Sequence, residues 1–269
     1  MFLNQTTVMG IVNLTPDSFY DGGKFNDKQS LLNHIKKING SDIIDVGCES
    51  SRPNSTPISE LEEMNRISLF FDNYEQLKKI IDETLLSIDS YKAAVVEFCL
   101  KNGFNIINDI SGGGDSFKNI ELAIDYDVPI VLMHMQGIPS TMQNSPKYDN
   151  IIDDIRNFFE QRIEFAIKNG LNEKNIILDP GIGFGKTIKD NDNIILNLNK
   201  FKELGFELLV GISRKSFLSK DEDDKINRLY PSLGVLAMSV MNGADIVRVH
   251  DVDETKQMLS IVDRIKYKK

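Results

Sequence analysis

Cysteine is nearly absent. Cys48 and Cys99 are the only two in 269 residues, too few and too far apart for a zinc quartet or a disulfide framework. Both are expected as buried thiols in a reducing cytosol. Cationic residues are also in deficit, with 31 Lys and Arg against 40 Asp and Glu and a net charge of -9. Generic binding to nucleic acid or an anionic membrane needs clustered cations, so neither partner is expected, and an anionic substrate must be held by locally placed ones. No apolar run approaches membrane-spanning length, and the opening MFLNQTTVMG lacks the basic start and sustained apolar stretch of a signal peptide. A cytoplasmic protein is expected. Low-complexity sequence and a matching internal repeat are both missing.

What is present is a 41% hydrophobic chain, enough to bury a large core, and one domain over 1–269 is the simplest organisation. Eight short apolar runs punctuate it, and each ends in polar residues. They are Val8–Val12 before Asn13, Ile43–Val46 before Glu49 to Arg52, Leu85–Ile88 before Asp89, and Ile106–Ile107 before Asn108 and Asp109. Ile130–Met133 precedes His134, Ile176–Leu178 precedes Asp179, Leu208–Ile212 precedes Ser213 to Ser216, and Ile246–Val247 precedes Arg248 and His250.

Between runs the apolar period turns helical. Leu31, Leu32, Ile35 and Ile38 form one face closed by Gly40. Ser59 and Glu62 have capping-box spacing ahead of Leu61, Met64, Ile67 and Phe71. Tyr91 to Asn102 predicts a third helix with Gly103 at its C-terminal cap, and Ile151 to Ile163 a fourth ending near Gly170. The run ends recur about every 34 residues, one βα unit each. Eight such units predict an α/β fold, a single-domain (β/α)8 TIM barrel with its site at the C-terminal strand ends. A doubly wound sheet would need glycines directly after the first strand, where Asn13-Leu14-Thr15-Pro16-Asp17 stands. The polar tract Ser219 to Lys225 is expected to be a mobile loop.

The cluster Asp179-Pro180-Gly181-Ile182-Gly183-Phe184-Gly185-Lys186-Thr187 invites a phosphate-loop reading that fails on spacing, since Pro180 stands where G-x-x-x-x-G-K-[ST] needs glycine. A turn whose glycines let backbone approach a flat ligand fits better. Asp89, Asn108 and Asp179 suit a flat heterocycle with an amidine-like edge, because carboxylates accept side-by-side hydrogen bonds and an amide both donates and accepts. Capping of the following helices is the other reading of each; three on three strand tips of one barrel favour a ligand. Arg248 and His250 alternate onto one side of a strand as an anion pincer. Arg52, Lys215, Ser51 and Ser216 add donors for a pyrophosphate. Asn13 either gives an oxygen to Mg²⁺ or forms a turn. His134 is read as a barrel-mouth histidine and His34 as a helix-surface one. No nucleophile elbow is specified.

Taken in order from residue 9 to 251, the segments resemble the dihydropteroate synthase family, the folate-pathway target of sulfonamides. The resemblance rests on Met9 to Phe19, Ile44-Asp45-Val46-Gly47, Glu49-Ser50-Ser51-Arg52-Pro53, Ser87-Ile88-Asp89-Ser90 and Ile106-Ile107-Asn108-Asp109. It continues through Leu132 to Gly137, the Asp179 to Lys186 turn, Ser213-Arg214-Lys215-Ser216 and Arg248-Val249-His250-Asp251. It implies a transferase that joins 6-hydroxymethyl-7,8-dihydropterin diphosphate to p-aminobenzoate with Mg²⁺, and a homodimer formed through helices late in the barrel. Asp89, Asn108, Asp179 and Lys215 would then hold the pterin, and Asn13, Arg248 and His250 the diphosphate and metal, with Ser51 and Arg52 closing over it. Ser51, Pro53, Gly183, Phe184, Lys215 and Ser216 would form the p-aminobenzoate pocket, and Gly211 joins the substrate-binding set. Asn13, Arg52, Lys215, Arg248 and His250 are the expected catalytic groups.

The chain departs from the commoner family pattern at Ser51 and Ser90, where Thr is frequent, and at Cys48, where Gly is usual. Two rivals share the pocket. A corrinoid-class pterin methyltransferase would have no evident use for the diphosphate pincer, and a silent pterin-binding subunit would bind without turnover.

Overall fold

The computed structural model describes residues 5–15, 20–21, 24–25, 27–51, 55–114, 116–219 and 228–267. In chain order these are β1 (Thr7–Asn13), β2 (Tyr20–Asp21), β3 (Lys24–Phe25), α1 (Asp27–Lys37), β4 (Ile43–Gly47), α2 (Glu60–Phe71), α3 (Tyr74–Ile81), β5 (Leu85–Asp89) and α4 (Ala93–Lys101). Then come β6 (Ile106–Asp109), α5 (Lys118–Asp125), β7 (Ile130–Met133), α6 (Ile151–Lys168), β8 (Ile176–Asp179), α7 (Ile188–Leu196), α8 (Leu198–Lys202), β9 (Glu207–Val210), α9 (Leu229–Met241), β10 (Ile246–Val249) and α10 (Val252–Lys266). Eight strands, β1 and β4 to β10, close into a barrel because β1 pairs in parallel with both β4 and β10. All eight predicted runs are those strands.

Two apolar layers hold the barrel. Outside, the strands pack on the helices through residues such as Leu31, Ile67, Phe70, Val96, Phe159 and Phe201, all buried. Inside, Met9, Ile43, Ile106, Val131, Ile177, Leu209 and Ile246 form a separate plug. Truncating one of these to Ala would cost about 2–5 kcal/mol, since close-packed surroundings collapse only partly into the void.

Helix ends follow local chemistry. Ser59 accepts from Glu62 N at 3.2 Å, but the Glu62 carboxylate takes Arg66 Nε instead of closing the expected box. A reciprocal box does form at Thr187 and Asp190, opening α7. Gly40, Gly103 and Gly170 have φ of 114°, 97° and 102° just beyond helices, the left-handed region that glycine enters without strain. Helix α4 begins at Ala93 rather than Tyr91, because Ser90 Oγ accepts from Lys92 N at 3.1 Å and turns the chain first. Helices α1, α2, α4 and α6 are those read individually from the sequence; α5, α7, α9 and α10 follow only from the expected βα rhythm, and the hairpin β2–β3 and helices α3 and α8 are not expected. Residues 220–227, most of the tract expected to be a mobile loop, lie outside the described residues, as do Arg52 and Pro53.

A cavity of about 500 Å³ opens at the opposite, N-terminal end of the barrel. Within it Asp263 accepts from Thr6 N and Oγ1, and Lys256 pairs with Asp42.

Candidate active site

Strand alternation builds the site. Side chains two residues apart face the same way, so one step beyond the seven-residue plug lie Ile11, Asp45, Asn108, Met133, Asp179, Gly211 and Arg248. Asp89 joins them from β5, paired in register with Gly47 and Asn108. Five of the positions read from sequence, Asp89, Asn108, Asp179, Gly211 and Arg248, therefore converge above an apolar floor.

Arg248 is the hub. Its Nε donates to Asp45 Oδ2 and its Nη2 to Asp89 Oδ2, both at 2.6 Å. Asp45 Oδ2 also accepts from Asn108 Nδ2 at 2.9 Å, which turns the Asn108 carbonyl oxygen away as a free acceptor. Burial lifts the Asp89 carboxyl to about 7, against the pull of Arg248. The Arg248 guanidinium resists the same burial because Asp45 and Asp89 favour its charge, and it stays a cation. Asp45 is a functional position that the sequence reading misses. Its signal was a carboxylate inside an apolar strand, at the inward parity of Ile43 and Gly47.

Asp179 anchors a turn. Its Oδ1 accepts Gly181 N at 2.7 Å, and burial raises its carboxyl while the nearby Lys215 opposes the rise. Lys215 donates to Ile182 O and lies 4.5 Å from the centroid of the Phe184 ring. Burial brings the Lys215 ammonium down to about 8, with Asp179 resisting. Gly183, at φ 83°, clears the Lys215 stem, which a Cβ would meet at 3.0 Å. Gly211 likewise leaves the space between Arg248 and Lys215 open. Arg214 takes a left-handed backbone, φ 59°, and is held by Asp251 through Nε at 2.9 Å, so that the next residue turns inward.

His250 sits half-buried beyond β10, where Ser213 Oγ meets its backbone N at 3.2 Å and its Nδ1 at 3.0 Å. Burial, then the charge of Arg248, lowers its ring to about 4. The pincer therefore joins one cation to a neutral imidazole. Asn13 ends β1, half-buried, with no side-chain hydrogen bond given among the described residues. Ser51 lines a narrow cleft with Glu49, Glu63, Asp89, Ser90 and Tyr91. Lys92 ties that loop down by pairing with both Glu49 and Glu63. Ser216 is exposed and opens a short 3-10 turn. Cys48 is buried in the outer core, so its departure from the family pattern falls on packing.

His134 and Lys186 form a contact that sequence reading missed. Lys186 Nζ lies 3.1 Å from His134 Nδ1 and is buried. Burial, with Lys186 beside it, lowers the His134 ring to about 3. No group of three or more His, Cys, Asp or Glu among the described residues could cage a metal.

A closed parallel barrel with carboxylates, an amide and cations converging at its C-terminal mouth defines an enzyme for a flat, polar heterocycle. The sequence profile of the family described as "Pterin binding enzyme" matches residues 9–250. The dihydropteroate synthase of Clostridium beijerinckii is 40% identical over 265 residues, 97% of this chain and 94% of that protein. The Synechocystis enzyme of the same name is 39% identical, over 97% of this chain and 90% of its own. The crystal structure of Yersinia pestis dihydropteroate synthase with a sulfonamide drug complex superposes with a TM-score of 0.89 at 37% identity, covering 100% of this chain and 97% of that one. The chain belongs to the dihydropteroate synthase family of pterin-binding enzymes.

Proposed function

We propose that this barrel condenses 6-hydroxymethyl-7,8-dihydropterin diphosphate with p-aminobenzoate, releasing dihydropteroate and pyrophosphate, through the residues assigned below. The chain is a transferase of an alkyl or aryl group other than methyl. The observation that carries the reading is the convergence of Asp89, Asn108, Asp179, Lys215 and Arg248 on one inward face.

Asp89 and Asp179 accept from the amino and ring N–H edge of the pterin, and the Asn108 carbonyl, freed by Asp45, accepts a further N–H. Lys215 reaches the pterin from the Asp179 side. Arg248 has Nη1 left over after its two carboxylates, and that nitrogen meets the diphosphate. His250 joins it as a neutral donor: Ser213 Oγ accepts the backbone N–H and gives its own proton to Nδ1, so Nε2 carries hydrogen toward the anion. Asn13 supports Mg²⁺, because that ion takes few protein oxygens beside substrate phosphates and water, and a strand-tip amide with no side-chain partner among the described residues suits that need. When bound, Mg²⁺ would neutralise charge on the diphosphate.

Pyrophosphate departs, leaving a methylene cation conjugated with the dihydropterin ring, and the arylamine nitrogen attacks it and sheds a proton. The protein needs no nucleophile; it stabilises the leaving anion and orients the amine. Phe184, Lys215, Gly183, Ser216 and Ser51 form the arylamine pocket, the Phe184 ring giving a flat face, with Gly211 leaving room behind. Pro53 would complete it, and Arg52 would close with Ser51 over the diphosphate. Occupation of this pocket by a sulfonamide would compete with p-aminobenzoate.

A homodimer is supported by apolar side chains left exposed on the late helices, Ile188 and Leu196 on α7, Tyr230, Met238 and Met241 on α9, and Ile261 and Ile265 on α10. Cytoplasmic residence is supported by the two buried free thiols; among the described residues no helix is long and apolar enough to cross a membrane.

Mixing the protein with the pterin diphosphate, p-aminobenzoate and Mg²⁺ and following pyrophosphate tests the reading. Release that depends on the arylamine is expected. Binding without release would point to a silent pterin-binding module.

A further inference from the structure

The turn over 180–187 is held by side chains. Its four consecutive carbonyls each accept one: Ile182 O from Lys215, Gly183 O from Gln143 at 2.8 Å, Phe184 O from Lys186 at 2.9 Å, and Gly185 O from Tyr148 at 2.7 Å. Lys186 differs from the other donors in depth, being 3% exposed. Its ammonium has three protons and meets three acceptors, Phe184 O, His134 O at 3.2 Å and His134 Nδ1 at 3.1 Å. Every proton is used within the protein, so none serves a ligand. No carboxylate lies within ion-pair distance of Lys186 among the contacts of the described residues.

Burying an ammonium without an ion pair is costly. Burial lowers the group to about 7, so what a lysine adds here over a methionine is its donors to these acceptors rather than a fixed charge. His134 continues from β7 and its N–H bonds Asp179 O at 2.9 Å. Lys186 thus ties the tip of β7 to the turn after β8. The fit is tight: a Cβ on Gly181 would meet His134 O at 1.9 Å and Lys186 Nζ at 3.3 Å. The His134 ring is neutral, as burial dictates, so its Nδ1 is free to accept. The carbonyl that Lys186 grips belongs to Phe184, whose ring faces Lys215.

We propose that Lys186 is a positioning residue for the p-aminobenzoate pocket: by gathering the Phe184 carbonyl and the His134 backbone and ring onto one buried ammonium, it sets where the Phe184 ring stands over Lys215. The inference rests on the assignment of Phe184 and Lys215 to the arylamine pocket. It concerns chiefly the second substrate, because Asp89 and Asn108 read the pterin from strands that Lys186 does not touch, and the carboxylate of Asp179 is held by its own bond from Gly181 N at 2.7 Å.

The test is steady-state kinetics of Lys186→Met, Lys186→Arg and His134→Leu beside wild type, with p-aminobenzoate varied at saturating pterin diphosphate, and calorimetric Kd values for the pterin diphosphate. In Lys186→Met the KM for p-aminobenzoate is expected to rise about tenfold or more, with kcat within about threefold and the pterin diphosphate Kd within about twofold. Lys186→Arg, which keeps charge and donors, recovers part of that KM. His134→Leu removes one acceptor and shifts the same KM by about threefold, and it carries the test if Lys186→Met does not fold. Wild-type KM in folded Lys186→Met, wild-type KM in His134→Leu, or a loss shared equally by pterin affinity would overturn the proposal. Wild-type protein that releases no arylamine-dependent pyrophosphate would instead overturn the assignment of the pocket.

Discussion

Asp45 holds Arg248 through Nε at 2.6 Å, and the same carboxylate oxygen accepts Asn108 Nδ2 at 2.9 Å. One fully buried group thereby fixes both the cation proposed for the diphosphate and the amide proposed for the pterin. Asp45→Ala is expected to cost about 3 kcal/mol, the lower end for breaking a buried pair, since Arg248 keeps Asp89. Turnover should fall about a hundredfold through misplacement of both groups. Thermal unfolding and steady-state rates measured together check it; wild-type turnover in folded Asp45→Ala would refute the positioning role.

The anion side can be probed at its neutral member. His250→Ala should lower kcat about 10²-fold with a folded barrel, the usual consequence of losing one donor aimed at developing charge. Arg248→Ala should do more, because it also leaves Asp45 and Asp89 facing each other without their shared cation. Circular dichroism establishes folding and pyrophosphate release gives the rate. Normal turnover in either folded variant would count against the assignment.

The raised Asp89 carboxyl predicts a pH dependence. The folded protein holds this proton up to about 7, well above the ordinary carboxylate range, so the native state binds more protons than the unfolded chain between about 4 and 7. The Asp89 contribution to stability is therefore full below about 4 and is lost as pH rises through 7. Asp89→Asn should flatten that part of the Tm-against-pH curve. Pterin binding runs the other way, since the proposed contact needs the carboxylate. Affinity for 6-hydroxymethyl-7,8-dihydropterin, which carries no diphosphate to titrate, should rise toward pH 7, before Lys215 begins to lose its charge near 8. A flat calorimetric profile in wild type would contradict this.

Metal dependence separates Asn13 from the pocket. Chelation of Mg²⁺ should abolish pyrophosphate release, and Asn13→Ala should raise the Mg²⁺ concentration for half-maximal rate about tenfold. The KM for p-aminobenzoate should not move. An unchanged Mg²⁺ requirement would return Asn13 to a turn-forming role.

The exposed apolar faces of α7 and α9 give a structural prediction. A paired Leu196→Glu and Met241→Glu change places charge where 61% and 51% of each side chain is exposed. Dimers by sedimentation velocity in wild type and monomers in the double variant are expected. A monomeric wild type would refute the homodimer.

The sequence by itself determined the strands, their order and most of the strand-tip groups. Ile43–Val46 or Leu208–Ile212 is apolar enough to be recognised without partners, and a polar residue at the end of such a run is visible at once. The period of a buried strand is local information. Helix α3 was less legible, because Tyr74 to Ile81 is only eight residues long, and its amphipathic face gains meaning only against α1. Within the site, Asp89, Asn108, Asp179 and Arg248 were readable as tips. That Arg248 bridges Asp45 and Asp89, more than 150 residues away in each case, was not, since only closure of β1 between β10 and β4 brings them together. Tertiary structure alone decided the ionisation of these groups as well. A carboxyl at about 7 and lysines near 8 and 7 are properties of burial and neighbours, and neither burial nor neighbours exist until the barrel has closed.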